Sequence, residues 1–167
     1  GRRGSHDPAV RALAKRERAD YKRFFGIVNK HLVIYSERSG FYKYYEALID
    51  GLLKSSNITI HYITSDPDDA VFELAKTQPR IRPYYIGLKK LIPLMMRLDA
   101  DMVAMTTPDL DTFYIKRSLV RKDAEYIYVP HDMMSIHMGF HKGALDHFDT
   151  VFATGPHVER EIRSTER

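Results

Sequence analysis

The chain has 167 residues, 44% of them hydrophobic and 11% aromatic, with a formal net charge of +4. That length buries a real core and that composition excludes disorder. The absence of cysteine excludes disulfides, thiolate metal sites and thiol nucleophiles together.

No run of about 18 apolar residues occurs, so no membrane-spanning helix is expected, and the polar N-terminus reads as lacking a secretory leader. Residues 1–6 read as an expression scar. Residues 7–30 hold seven basic side chains against three acidic ones, whereas residues 31–167 hold 17 basic and 19 acidic. The positive charge therefore belongs to the N-terminal segment, and no basic stripe on the main body points to nucleic acid.

Residues 8–27 predict a first helix with Leu13, Phe24 and Phe25 on its apolar side. Two readings apply to it: a helix packed on the domain through those residues, which is favoured, or a basic anchor on an anionic membrane surface. HLVIYS at 31–36 is a short apolar run that predicts a buried strand, and a helix follows from Phe41 to Lys54. ITIHYIT at 58–64 is the next strand. Asp66-Pro67 then opens a short helix over 70–76, with proline in its first turn.

Arg82 to Ile86 predicts a weak strand, and Leu88 to Leu98 a helix containing Pro93. MVAMT at 102–106 is a strand, with Pro108-Asp109 opening a helix through Lys116. YIYVP at 126–130 is a strand that runs into His131. A loop rich in His and Met continues to about His141, and residues 144–148 predict one helical turn. Val151 to Thr154 is the last predicted strand, with a final helix from Gly155-Pro156. This alternation predicts an α/β fold, a Rossmann-like parallel sheet with helices on both faces. Residues 7–30 form the basic N-terminal helix and residues 31–167 the Rossmann-like domain.

Open parallel sheets bind ligands at the carboxyl ends of their strands. The polar groups expected there are Ser36 to Gly40, Thr64-Ser65-Asp66, Thr106-Thr107-Pro108-Asp109 and His131-Asp132. Ser39-Gly40 reads as an anion-facing turn or a plain strand–helix turn, and Thr107 as a cleft residue or a helix cap. His131 reads as a general base or as a strand-end histidine bonded to its own loop. His137 and His141 are four apart, but Gly139 lies between them and no H-E-x-x-H pattern exists, so no metal is expected. The tyrosines Tyr42, Tyr44, Tyr45, Tyr84 and Tyr85, with Met95 and Met96, read as packing. No cofactor is implied.

Four segments then carry a resemblance in their order and spacing: YYIGLKKLI at 84–92, TTPDLDTFYIKRS at 106–118, YIYVPHDMMSIHMGF at 126–140 and ALDHFDTVFATGPHVEREIR at 144–163. Over roughly residues 31–163 the chain resembles the CDP-glycerol:glycerophosphate glycerophosphotransferase-like family, which includes the teichoic-acid primases and polymerases of Gram-positive bacteria. The resemblance implies a GT-B architecture of which this chain is the N-terminal, acceptor-side half, lacking the C-terminal nucleotide-binding domain. It implies transfer of glycerol phosphate from CDP-glycerol to a hydroxyl acceptor in cell-envelope synthesis, in the cytoplasm or at the inner face of the plasma membrane.

His131 would be the base, supported by Asp132 and Ser135, with Ser39, Gly40, Thr106, Thr107 and Asp109 lining the cleft. The better-known members carry Trp-His-Gly where this chain has Pro130-His131-Asp132, which leaves room for a related polyol phosphate or sugar nucleotide as donor. The alternative is a non-catalytic α/β ligand-binding or regulatory module using the same edge.

Overall fold

A computed structural model describes residues 7–107, 115–130, 145–155 and 158–164. In chain order the elements are α1 (Pro8–Phe25), β1 (Lys30–Ser36), α2 (Tyr42–Ser55), β2 (Ile60–Thr64), α3 (Val71–Leu74), β3 (Ile81–Tyr85), α4 (Leu88–Met96), β4 (Ala100–Met105), β5 (Glu125–Tyr128), β6 (Thr150–Gly155) and β7 (Val158–Ser164). The strands form one sheet in the order β3-β2-β1-β4-β5-β6-β7. The first six run parallel and β7 pairs antiparallel with β6. The Rossmann-like α/β fold is thus present, with a mixed edge. None of the described helices is long and apolar enough to cross a membrane.

The near-continuous apolar runs of the strands follow from burial on both sides. Along β1, Leu32 and Ile34 face the layer formed by α2 and α3, where they meet Tyr45, Leu48, Ile49 and Val71. Val33 and Tyr35 alternate onto the opposite face, against Phe24 of α1 and Leu91, Leu94 and Met95 of α4. The same period of two sorts β4 and β5: Val103, Met105, Tyr126 and Tyr128 go to one side, Ala104 and Ile127 to the other. Tyr45 and Tyr84 are fully buried, as their packing role requires.

α1 starts cleanly because Asp7 accepts from the backbone N–H of Ala9 at 2.9 Å and proline occupies the first turn. Its polar side chains are then spent on the sheet. Asp20 accepts from Tyr85 N at 2.8 Å, Glu17 accepts from Gly87 N at 2.6 Å, and Arg23 donates to Pro83 O at 2.6 Å. Arg16 reaches Pro67 O at 2.9 Å. The helix therefore belongs to the domain and shields the end of the edge strand β3, whose backbone groups would otherwise be open to pairing. At the other end of the sheet α2 is closed by Arg80, which donates to the carbonyls of Leu53 and Ser56.

Sequence expectations change at four places. The final helix from Gly155-Pro156 is instead the strand β7, in register with β6 from Thr150↔Ser164 to Phe152↔Ile162. Glu and Arg favour helix locally, but β6 offers an open row of backbone donors and acceptors, and pairing overrides a propensity of a few tenths of a kcal/mol per residue. The helix expected over Pro108 to Lys116 falls mostly outside the described residues, and Ile115 and Lys116 are not helical. α3 shortens to four residues, and β2 begins two residues later than the sequence pattern suggests. The expected turn before β6 is present, with Phe148 N donating to Leu145 O at 3.2 Å.

One buried group sets a pH limit on this core. His61 of β2 is 3% exposed, and burial, followed by the charges of Lys30, Arg82, Arg23 and His31, lowers its pKa from 6.5 to about 4. Its folded value lies below the unfolded one, so the unfolded chain takes up the proton first as pH falls. Stability is therefore complete above about pH 6.5 and drops progressively toward about pH 4, by roughly 3 kcal/mol at 1.36 kcal/mol per pKa unit. Urea midpoints measured from pH 7.5 to 4.5 check this, and His61→Gln flattens the slope. An unchanged slope in the variant would assign the acid loss elsewhere.

Candidate functional site

The strand order reverses between β1 and β4. The loop after β1 enters α2 on one face of the sheet, while the chain after β4 reaches Ile115 in the core layer of the opposite face. The connections after β1 and β4 therefore lead to opposite faces, the topology that in doubly wound sheets forms a ligand crevice at the carboxyl ends of the strands.

The residues at this crevice fall into two groups. The first forms a brace between the loops after β1 and β2. Ser39 N donates to Asp66 Oδ2 at 3.1 Å, and Ser39 Oγ accepts from Ala70 N at 2.9 Å. Asp66 Oδ1 accepts from Asp68 N, and Thr64 Oγ1 donates to Asp69 Oδ2 at 2.7 Å. Ser65 bonds to Ile86 O and to the Tyr35 hydroxyl. Buried Ser36 donates to Arg38 O at 3.0 Å, which folds the loop after β1 back on itself. Tyr45 of α2 donates to Tyr35 O from below, fixing the helix against the strand end. Burial holds this phenol well above its usual pKa, so it remains a donor at every physiological pH.

The second group spans the crevice itself. Thr107, following β4, donates its hydroxyl to Glu37 Oε2 at 3.1 Å, joining the loops on the two sides of the reversal. Both side chains are half-buried, whereas Thr106 beside them is buried. Val129 N still donates to Met105 O at 2.9 Å, so the β4–β5 pairing runs to the rim, and Pro130 is the last described residue there.

Of the expected site residues, Thr106 and Thr107 stand at the reversal, and Thr107 lines it. Ser39 stands near it but has its hydroxyl and N–H committed to the brace. Gly40 does not need to be glycine: a Cβ there would meet nothing within 4 Å. Of the two readings of Ser39-Gly40, a plain strand–helix turn fits the commitment of Ser39 to the brace, and glycine's freedom is not used there. Asp109, His131, Asp132 and Ser135 lie outside the described residues, as do His137 and His141. Among the described residues no group of three or more His, Asp or Glu side chains could hold a metal ion.

Glu37 and Asp66 stand among the polar groups expected at the strand ends but not among the residues expected to line the cleft. Their signal was available: each is an acid within two residues of a strand's carboxyl end. Nothing local separates Glu37, which bridges the reversal, from Asp66, which holds a loop. That distinction requires knowing that β4 rather than β2 carries Thr107 alongside. No protein-family model, no curated protein and no solved structure matches this chain.

Proposed function

We propose that this chain is the acceptor-side domain of a glycerophosphotransferase-like enzyme. It takes glycerol phosphate, or a related polyol phosphate or sugar, from a CDP- or other nucleotide-activated donor and delivers it to a hydroxyl acceptor in cell-envelope polymer synthesis. The observation that carries the reading is the strand reversal between β1 and β4, spanned by the Thr107–Glu37 hydrogen bond and bordered by the end of β5 just before His131. Doubly wound sheets bind ligands at such a reversal.

In the proposed reaction His131 takes the proton of the acceptor hydroxyl. The acceptor oxygen attacks the phosphorus that carries the glycerol, the bond to CMP breaks, and CMP leaves with the displaced electron pair. Such a transfer requires positioning and charge stabilisation rather than a covalent enzyme intermediate. Donor-nucleotide binding falls to a second domain facing this edge. The basic residues Arg11, Lys15, Arg18 and Lys22 of α1 suit a peripheral position at an anionic membrane face.

A non-catalytic ligand-binding module is the second reading. It is favoured by one observation, that Ser39, Ser65 and Asp66 are already satisfied by neighbouring loops. CMP release from CDP-glycerol separates the two. The 167 residues alone turn over at background, and the enzyme carrying both domains turns over far above it. Robust turnover by these residues alone would overturn the half-enzyme reading, and none from the two-domain enzyme would favour the binding module.

A further inference from the structure

At the opposite, amino-terminal edge of the sheet, the starts of β1, β2 and β3 surround an open cleft of about 230 Å³. We propose that this cleft, lined by Asn29, Lys30, His31, Thr59, His61 and Arg82, binds a phosphate group.

The argument begins with Lys30. Its side chain belongs to the first residue of β1 and is 2% exposed, an expensive position for an ammonium group. The ammonium donates to Ile27 O at 2.6 Å and lies 4.2 Å from the centre of the Phe24 ring. Those contacts use one of its three N–H bonds and leave two without an acceptor among the described residues. Asp99, the acid whose charge acts on Lys30, already accepts from Asn29 N at 2.9 Å and from Arg121 at 3.0 Å.

The other walls repeat the pattern. Arg82 is exposed at the rim and has no carboxylate partner among the described residues. His31 pairs with Asp101 at 3.1 Å, but Asp101 is shared with Arg121. The lining contains two permanent cations and two imidazoles, and no acid. His61 bonds through Nδ1 to the Tyr84 hydroxyl at 2.8 Å, and its other ring nitrogen has no protein partner among the described residues. The largest charge effects on His61 come from the cations Lys30, Arg82, Arg23 and His31, so the cleft around it is predominantly positive.

Burial keeps His61 neutral at physiological pH and keeps Tyr84 protonated. In the tautomer whose Nδ1 accepts from the Tyr84 hydroxyl, the imidazole presents Nε2–H as a further donor. Asn29, at φ 55°, adopts the left-handed conformation that asparagine tolerates, and its side-chain amide adds another donor to the wall. An ammonium, a guanidinium fork, an imidazole N–H and an amide suit a tetrahedral oxyanion. The volume lies below the roughly 300–1,000 Å³ typical of drug-sized ligands, so the occupant is inorganic phosphate or a small phosphomonoester. This cleft is independent of the crevice at the other end of the strands and of the activity proposed for it.

NMR of the histidine ring resonances at pH 7 tests the proposal on the full chain. Inorganic phosphate and methyl phosphate are titrated separately, at ionic strength held constant with sodium chloride. A saturable shift of the His61 signals is expected, weakened about tenfold or more by Arg82→Ala and removed by Lys30→Met, with Lys43→Ala on the outer side of α2 behaving as the parent. Saturation by phosphate alone identifies the free ion as occupant, and equal or tighter binding of methyl phosphate identifies a monoester. Shifts that chloride reproduces, or that fail to saturate, overturn the proposal. Saturation unaffected by the exposed Arg82→Ala also overturns it, whether or not the Lys30 variant folds.

Discussion

Replacing His131 by alanine is expected to lower glycerol-phosphate transfer by about 10²–10⁴-fold in the two-domain enzyme, the range that a positioned general base contributes. On the proposed reading the loss should appear in kcat with little change in KM for the donor, because the imidazole would act on the acceptor proton rather than on the nucleotide. Glu37→Ala should behave differently. Its carboxylate accepts from Thr107 across the crevice, so its removal loosens the two loops and raises KM for the acceptor more than it lowers kcat. The contrast carries the prediction. Near-normal kcat in the His131 variant would remove the histidine from the chemistry while leaving the crevice as a binding site. Single-turnover CMP release at saturating acceptor, with both variants measured beside the parent, distinguishes these outcomes.

The second large effect concerns the core. Phe24→Ala should destabilise the domain by about 3–5 kcal/mol, as truncation of a buried aromatic does, or roughly 2–4 °C of melting temperature per kcal/mol at this size. Phe24 is wholly buried and packs edge-on against Tyr84 at 5.2 Å and Phe25 at 5.4 Å. Its ring also supports the Lys30 ammonium, so truncation leaves both a void and a buried charge that has lost its π face. Phe24→Leu fills most of the void without restoring that face and should cost less. Urea unfolding of both variants provides the measurement. A loss below about 1 kcal/mol for Phe24→Ala would mean that α1 is an appendage rather than a layer of the fold.

The comparison with Lys30 is informative because the two residues are coupled. Double substitution of Phe24→Ala with Lys30→Met should cost less than the sum of the singles, since the second change removes the charge that the first exposes. The same reasoning explains why α1, basic and mainly polar, is nevertheless integral. Asp20 and Glu17 hold backbone N–H groups just beyond the core, and Phe24 supplies the apolar anchor.

The alternation of strands and helices was readable because both faces of a parallel sheet are covered. HLVIYS and MVAMT are apolar throughout, and only a doubly covered strand makes that pattern favourable. The polar strand ends were readable for the same reason: Ser36-Glu37-Arg38 and Thr106-Thr107 interrupt those runs where the strands leave the core. The fate of residues 158–164 was not. Their local preference points to helix, and the partner that makes them a strand is β6, whose open edge is a property of the assembled sheet. Nor could the roles of Ser39 and Gly40 be read locally, because the brace that occupies Ser39 comes from Asp66 and Ala70 in another loop.

By itself, then, the sequence determined the class of fold, the element types from α1 to β6 and which polar groups stand at the carboxyl edge. These depend on hydrophobic periodicity, which operates over a few residues. The tertiary structure decided the strand order 3-2-1-4-5-6-7, and with it which polar strand ends share the crevice. It also gathered Lys30, His61 and Arg82 from three strands into one cleft that no short segment announces. The physical reason is the same in both cases: pairing between strands and convergence of charges join residues far apart in the chain, and their energies depend on neighbours that only folding supplies.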